Sequence, residues 1–202
     1  TEHFLSQIKL SPVGKKIYST VTSQLAMEQA KASKIRADNG RRLSSLDGVP
    51  ISWKDLFDIA GYPCEAGSEL LAGRVANKNS EVYNFAEAHG LICLGKTHMS
   101  ELAFSGLGLN PIRETPPCFN YPDSVPGGSS SGAATSVAFG LASAGIGSDT
   151  GGSVRIPAAW NDLVGLKTTA GRLSLNGVVP LCGRFDTVGP LVKSVEDAAR
   201  LF

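Results

Sequence analysis

The chain has 202 residues, with 42% hydrophobic and 18% charged side chains and a formal net charge of +1. That is enough length for one domain or a large piece of one. The charge balance gives no bulk attraction to nucleic acid or to an anionic membrane. No run of 18 apolar residues could span a bilayer, and Thr1-Glu2-His3 does not read as the start of a signal peptide. Four cysteines, Cys64, Cys93, Cys118 and Cys182, lie far apart with no C-x-x-C pair. Neither a zinc site nor a disulfide framework is expected from them, and reduced, mostly buried thiols fit a cytoplasmic protein. The 23 glycines are unevenly placed, crowding among serines in the second half.

In chain order, residues 12–38 read as helix, being rich in Ala, Lys, Gln, Glu and Leu, with Asn39-Gly40 as the stop. Leu46-Asp47-Gly48-Val49-Pro50 reads as a turn, and Ile51 to Leu56 as a short strand carrying Lys54. Ser80 is placed to cap a helix that runs through His89 and stops at Gly90. Leu91 to Leu94 reads as a buried strand, residues 106–128 with their five prolines as loop, Ala133 to Phe139 as helix and Leu141 to Ile146 as strand. Ser194-Val195-Glu196-Asp197 starts a last helix in the manner of a capping box. Short apolar strands alternating with helices predict an α/β fold with a mainly parallel mixed sheet flanked by helices. A helical part over about 1–45 and a catalytic α/β core over about 46–202 would form one domain. The abrupt end on Leu201-Phe202, inside a helix barely begun, leads to the expectation of an incomplete domain that acts poorly on its own.

Three segments stand out together. They are Gly48-Val49-Pro50-Ile51-Ser52-Trp53-Lys54, Pro126-Gly127-Gly128-Ser129-Ser130-Ser131-Gly132, and Gly147-Ser148-Asp149-Thr150-Gly151-Gly152-Ser153-Val154-Arg155-Ile156-Pro157. Small residues at strand-to-helix junctions let backbone N–H groups converge on an anion or a developing oxyanion. Alone, each run also reads as a plain turn, and Lys54 as a surface charge. Their order, with Ser129 75 residues after Lys54 and Ser153 24 after Ser129, resembles the amidase signature family of Ser-cisSer-Lys amidases. Gly95-Lys96-Thr97, Glu101-Leu102-Ala103 and Asp186-Thr187-Val188-Gly189-Pro190 resemble it too, so the match covers about residues 46–200.

The resemblance implies hydrolysis of a carboxamide to carboxylate and ammonia. Ser153 would be the nucleophile, Ser129 the relay on a cis peptide, and Lys54 the terminal base. The amides of Thr150, Gly151, Gly152 and Ser153 would form or border the oxyanion hole, and Ser130, Asp149 and Arg155 would brace the site. The chemistry is coherent: a serine hydroxyl needs a base, and lysine serves as one only when burial lowers its pKa from about 10.4. No cofactor and no metal are implied. The expected partner is a small-molecule amide, without nucleic acid or membrane, and a homodimer is left open. Family members are about twice as long, so the C-terminal half of the fold would be absent here. Ala159-Trp160-Asn161 and Thr168 are bulkier or more polar than the family's usual residues, which affects the packing behind the site.

Two rival readings are weaker. Gly128-Ser129-Ser130-Ser131-Gly132 fits the G-x-S-x-G elbow of α/β-hydrolases with Ser130 as nucleophile, but His3, His89 and His98 all precede it. Gly165-Leu166-Lys167-Thr168 falls short of a phosphate-binding loop. Within the family, a glutaminase subunit of a tRNA-dependent amidotransferase is the alternative, and a non-catalytic fragment is another.

Overall fold

The computed structural model describes residues 1–202. Its elements are α1 (Glu2–Leu10), α2 (Gly14–Ile17), β1 (Tyr18–Val21), α3 (Ser23–Asp38), β2 (Pro50–Lys54), α4 (Glu81–Ala88), β3 (Ile92–Thr97), α5 (Ser131–Ala138), β4 (Ala144–Asp149), α6 (Arg155–Trp160), β5 (Val164–Gly165), β6 (Thr187–Val192) and α7 (Val195–Leu201). The six strands form one sheet in the order β1-β3-β2-β4-β6-β5. β2 runs parallel to both β3 and β4, while β1–β3, β4–β6 and β5–β6 are antiparallel. The sheet is mixed and flanked by helices, as expected, but it is not mainly parallel: its two parallel pairings lie at the centre and its three antiparallel ones toward the edges.

The largest departure from the sequence reading is in the N-terminal part. Residues 12–38 are not one helix: the chain leaves the helical path at Tyr18 and forms β1 before α3 begins. Tyr18-Ser19-Thr20-Val21 is an aromatic and β-branched segment that gains an antiparallel partner in β3, with Tyr18 opposite Thr97. The Tyr18 hydroxyl also donates to Leu141 O at 3.0 Å. The N-terminal part therefore supplies an edge strand of the sheet and is not wholly helical.

Other boundaries move for local reasons. β2 stops at Lys54 because the Leu56 and Phe57 amides both turn back to Lys54 O, at 2.8 and 3.2 Å. β4 starts later than expected and runs to Asp149, and α5 starts earlier, at Ser131, so both elements extend into the Gly-Ser runs. Ser80 stands at the N-cap of α4, yet its hydroxyl makes no capping bond and is buried without a partner. Ser194 does cap α7, accepting from the Asp197 amide at 3.1 Å.

On one face of the sheet Ile51, Trp53, Ile146 and Val188 pack with Tyr83 of α4 and Ala198 of α7. On the other lies α5, whose eight residues are all buried and mostly small. Its backbone rests almost directly on β4. A Cβ on Gly145 would come within 2.5 Å of Ala133 O, and one on Gly147 within 2.6 Å of Ser130 Oγ. Gly145→Ala should therefore push α5 off the sheet and lower stability by about 1–3 kcal/mol, the usual scale of overpacking. Gly183→Ala, whose Cβ meets nothing within 4 Å, should change it by less than about 0.5 kcal/mol. Urea midpoints read both, and equal midpoints for the two variants would contradict the close approach.

Candidate active site

Lys54, at the carboxyl end of β2, is fully buried. Its Nζ lies 2.6 Å from Ser129 Oγ and 2.8 Å from Ser148 Oγ. Burial pushes the amine down to about 7, against the opposing charges of Asp149 and Asp186. In the charged form Nζ donates to both hydroxyls. Once neutral, its lone pair lies within reach of the Ser129 proton. The Gly128–Ser129 peptide is cis, the conformation the resemblance implies. Ser129 O accepts from the Ser100 amide at 3.1 Å, which holds this turn against the end of β3.

The second Gly-Ser run is shaped by Asp149, the buried last residue of β4. Its carboxylate accepts from the amides of Gly152, Val154 and Arg155 at 2.8, 3.1 and 3.3 Å. The Arg155 guanidinium adds a two-pronged contact, Nε to Oδ2 and Nη2 to Oδ1, each 3.0 Å. Burial works to raise this carboxyl, but the bonds from Arg155, Val154 and Gly152 outweigh it and hold the group below the usual range. Asp149 and Arg155 thus form one internal brace, with only the outer part of Arg155 exposed.

This geometry corrects one member of the expected donor set. The Gly152 N–H points to Asp149 and is not free for an oxyanion. Thr150, Gly151 and Ser153 N–H make no hydrogen bond within the chain. Gly152 is instead required by conformation: its φ is +134°, and a Cβ would lie 2.7 Å from Ile156 Cδ1.

Ser153 O accepts from the Ser130 amide at 3.2 Å, which stitches the two Gly-Ser runs together. Ser153 is 8% exposed, whereas Lys54, Ser129 and Ser130 are each 0%. Of these four residues only Ser153 reaches the surface at all. The structure brings Lys54 and Ser129 into direct contact and sets Ser153 on the adjoining loop, with no direct hydrogen bond between the Ser153 and Ser129 hydroxyls. Ser130 Oγ is turned inward to Ser148 O at 3.2 Å, unlike the outward nucleophile of an elbow. His98 is buried, with its backbone N bonded to Ile17 O and its O to Gly132 N. Lys167 Nζ turns back to Thr168 O, so that segment does not present a lysine to a phosphate.

Sequence reasoning misses three contributors. Ser148 stands within a motif without an assigned role, although a serine at a strand end beside a buried lysine is a natural partner for a second N–H of the amine. Asn161 reads in the sequence only as a departure from the family's small residues. It is 1% exposed, and its Nδ2 donates to Pro126 O and Pro157 O at 2.8 Å each while its Oδ1 accepts from the Phe119 amide at 2.9 Å. It ties α6 to the loop that leads into Ser129. Thr168, the other departure, donates to Val188 O at 2.8 Å and fastens the segment after β5 to β6.

A buried lysine amine held on a serine that follows a cis peptide, next to a Gly-Gly-Ser loop, is the arrangement that the resemblance to the amidase signature family leads one to expect. The family described as Amidase matches residues 1–202, and the chain belongs to it. A glutamyl-tRNA(Gln) amidotransferase subunit of Anaeromyxobacter dehalogenans (strain 2CP-C) is 44% identical over 184 residues, which are 90% of this chain and 37% of that protein. The 2-amino-5-chloromuconic acid deaminase of Comamonas testosteroni is 41% identical over 187 residues, 92% of this chain and 40% of that one. Among solved structures, the native peptide amidase from Stenotrophomonas maltophilia superposes with a TM-score of 0.92 at 32% identity, covering 99% of this chain and 42% of that chain. The chain thus spans about two fifths of the length of these relatives. No helix is long and apolar enough to cross a membrane. Cys64, Cys93 and Cys118 are buried free thiols and Cys182 is an exposed one.

Proposed function

We propose that this chain carries the catalytic centre of a carboxamide hydrolase that works through a Ser153 acyl-enzyme. The observation that carries the reading is the buried Lys54 amine, 2.6 Å from Ser129 Oγ and lowered to about 7. A neutral amine at that place takes the Ser129 proton as Ser129 takes that of Ser153. Ser153 Oγ then bonds to the carbonyl carbon, and the oxyanion forms beside the free N–H groups of Thr150, Gly151 and Ser153. The proton returns through Ser129 to the amide nitrogen, the C–N bond breaks and ammonia leaves. Water, deprotonated along the same path, attacks the acyl ester and restores Ser153.

A second reading has a specific motive: the 44% identical relative belongs to an amidotransferase, and in that case the ammonia would come from glutamine and be passed on within an assembly. An ammonia-release assay over aliphatic, aromatic and dicarboxylic amides and glutamine separates the two, using the full polypeptide that carries this sequence. Release from simple amides by the isolated protein is the expected result. Release from glutamine only, and only with partner subunits, would favour the second reading. No release from any amide, together with no labelling by a fluorophosphonate, would mark the chain as non-catalytic and overturn both.

A further inference from the structure

We infer that Asp186 and Thr187, where β6 begins, are positioning residues that aim the Thr150 N–H at the oxygen of the reacting carbonyl; the inference rests on the proposed hydrolase reading. Thr187 is 3% exposed and sits opposite Asp149 in the β4–β6 pairing. Its Oγ1 donates to Asp149 O at 2.7 Å. That carbonyl and the Thr150 N–H belong to one peptide unit. In a planar trans peptide the two point in opposite directions. A hydroxyl that holds the carbonyl on the β6 side therefore fixes the N–H on the other side, where it has no partner in the chain.

Asp186 secures the same residue by its side chain. Its carboxylate, 6% exposed, accepts from Thr150 Oγ1. It also accepts from the Leu181 amide at 2.9 Å and the Cys182 amide at 3.0 Å, which folds the 181–186 turn back onto itself. The Asp149–Thr150 unit is thus gripped at its carbonyl by one residue and at its side chain by the next. No other element holds Thr150 by its side chain, and the Asp149 carboxylate is committed to the opposite end of the loop. Donors aimed before the reaction stabilise charge without reorganising, so a grip of this kind acts on rate more than on binding.

Asp186 has a second consequence that a purely structural residue would lack. It is one of two carboxylates whose charge favours the protonated form of Lys54. The other, Asp149 of β4, is already paired with Arg155 of α6. The remaining neighbours of the amine, Ser129 before α5 and Ser148 of β4, are uncharged, and Asp55 after β2 is paired with Lys96 of β3 at 2.8 Å.

The test uses the full polypeptide, a fluorophosphonate as probe, and the amide giving the most ammonia as substrate. Thr187→Val keeps shape and loses only the hydroxyl. It should slow labelling and kcat about ten- to a hundredfold, part of the loss expected for a removed oxyanion donor, with KM within about threefold. Thr187→Ser should restore both rates to within about threefold. Asp186→Asn should lower kcat likewise and move the acid limb of kcat/KM to lower pH, because a negative charge near Lys54 is gone. Wild-type rates in Thr187→Val would overturn the inference, as would a loss that Thr187→Ser does not restore. If Thr187→Val fails to fold, Asp186→Asn decides: an unmoved acid limb with wild-type kcat overturns the inference. Activity that survives in Ser153→Ala would sink the underlying hydrolase reading instead, so the two failures are distinguishable.

Discussion

Ser153→Ala is expected to abolish covalent labelling by a fluorophosphonate and to lower kcat by on the order of 10^6-fold, the scale seen when a serine hydrolase loses its nucleophile. Ser153 is slightly exposed where Lys54 and Ser129 are fully buried, and its own N–H and those of Thr150 and Gly151 lie on the same loop without partners. Attack and oxyanion stabilisation would share one short segment, so losing the hydroxyl leaves the donors with no covalent step to assist. Ser130→Ala is the informative control. Ser130 fits the elbow motif by sequence, but its Oγ is fully buried and bonded to Ser148 O. That variant should still be labelled, more slowly, because Ser130 helps hold the end of β4. Labelling that persists in Ser153→Ala and disappears in Ser130→Ala would reverse the assignment.

The residues legible in the sequence are those whose meaning is local. The Gly-Ser runs present amides wherever they fold, and a lysine near the end of a short apolar strand is unusual enough to be noticed when all three segments occur in order. α3, α4 and α7 follow from helix-forming stretches with stop or cap residues at their ends. β1 is illegible because Tyr18–Val21 lies between helix-forming stretches and becomes a strand only through pairing with β3, far along the chain. Distance in sequence hides the other contributors too. Ser148 matters because Lys54 reaches it from a neighbouring strand, 94 residues away, and Asn161 because it reaches Pro126, 35 residues back. The Gly152 amide shows the reverse case: the motif suggests a donor, and only the position of the Asp149 carboxylate reveals that the N–H already has an acceptor.

Lys54→Met and Lys54→Arg together should separate a base from a tether. Met fills the same buried space without a nitrogen, leaving the Ser129 and Ser148 hydroxyls short of a partner at a cost of about 1–3 kcal/mol each. The fold should survive, as judged by circular dichroism, while kcat falls by about 10^2- to 10^4-fold, the range for loss of a general base. Arg retains N–H donors for both serines but stays charged at any accessible pH. If Lys54 acts by accepting a proton, Arg should be as inactive as Met; if it merely holds Ser129 in place, Arg should keep much of the activity. The pH profile supplies the independent arm. Burial lowers the amine to about 7, so its neutral fraction is small at pH 5, one half near 7 and nearly complete at 9. Activity of the unaltered protein should therefore rise with pH along a single limb centred near 7 and then level off. The residual rate of Lys54→Met should lack that limb. A flat profile from pH 5 to 10 in the unaltered protein, with substantial activity in Lys54→Arg, would remove Lys54 from the proton path and leave it a structural anchor for Ser129.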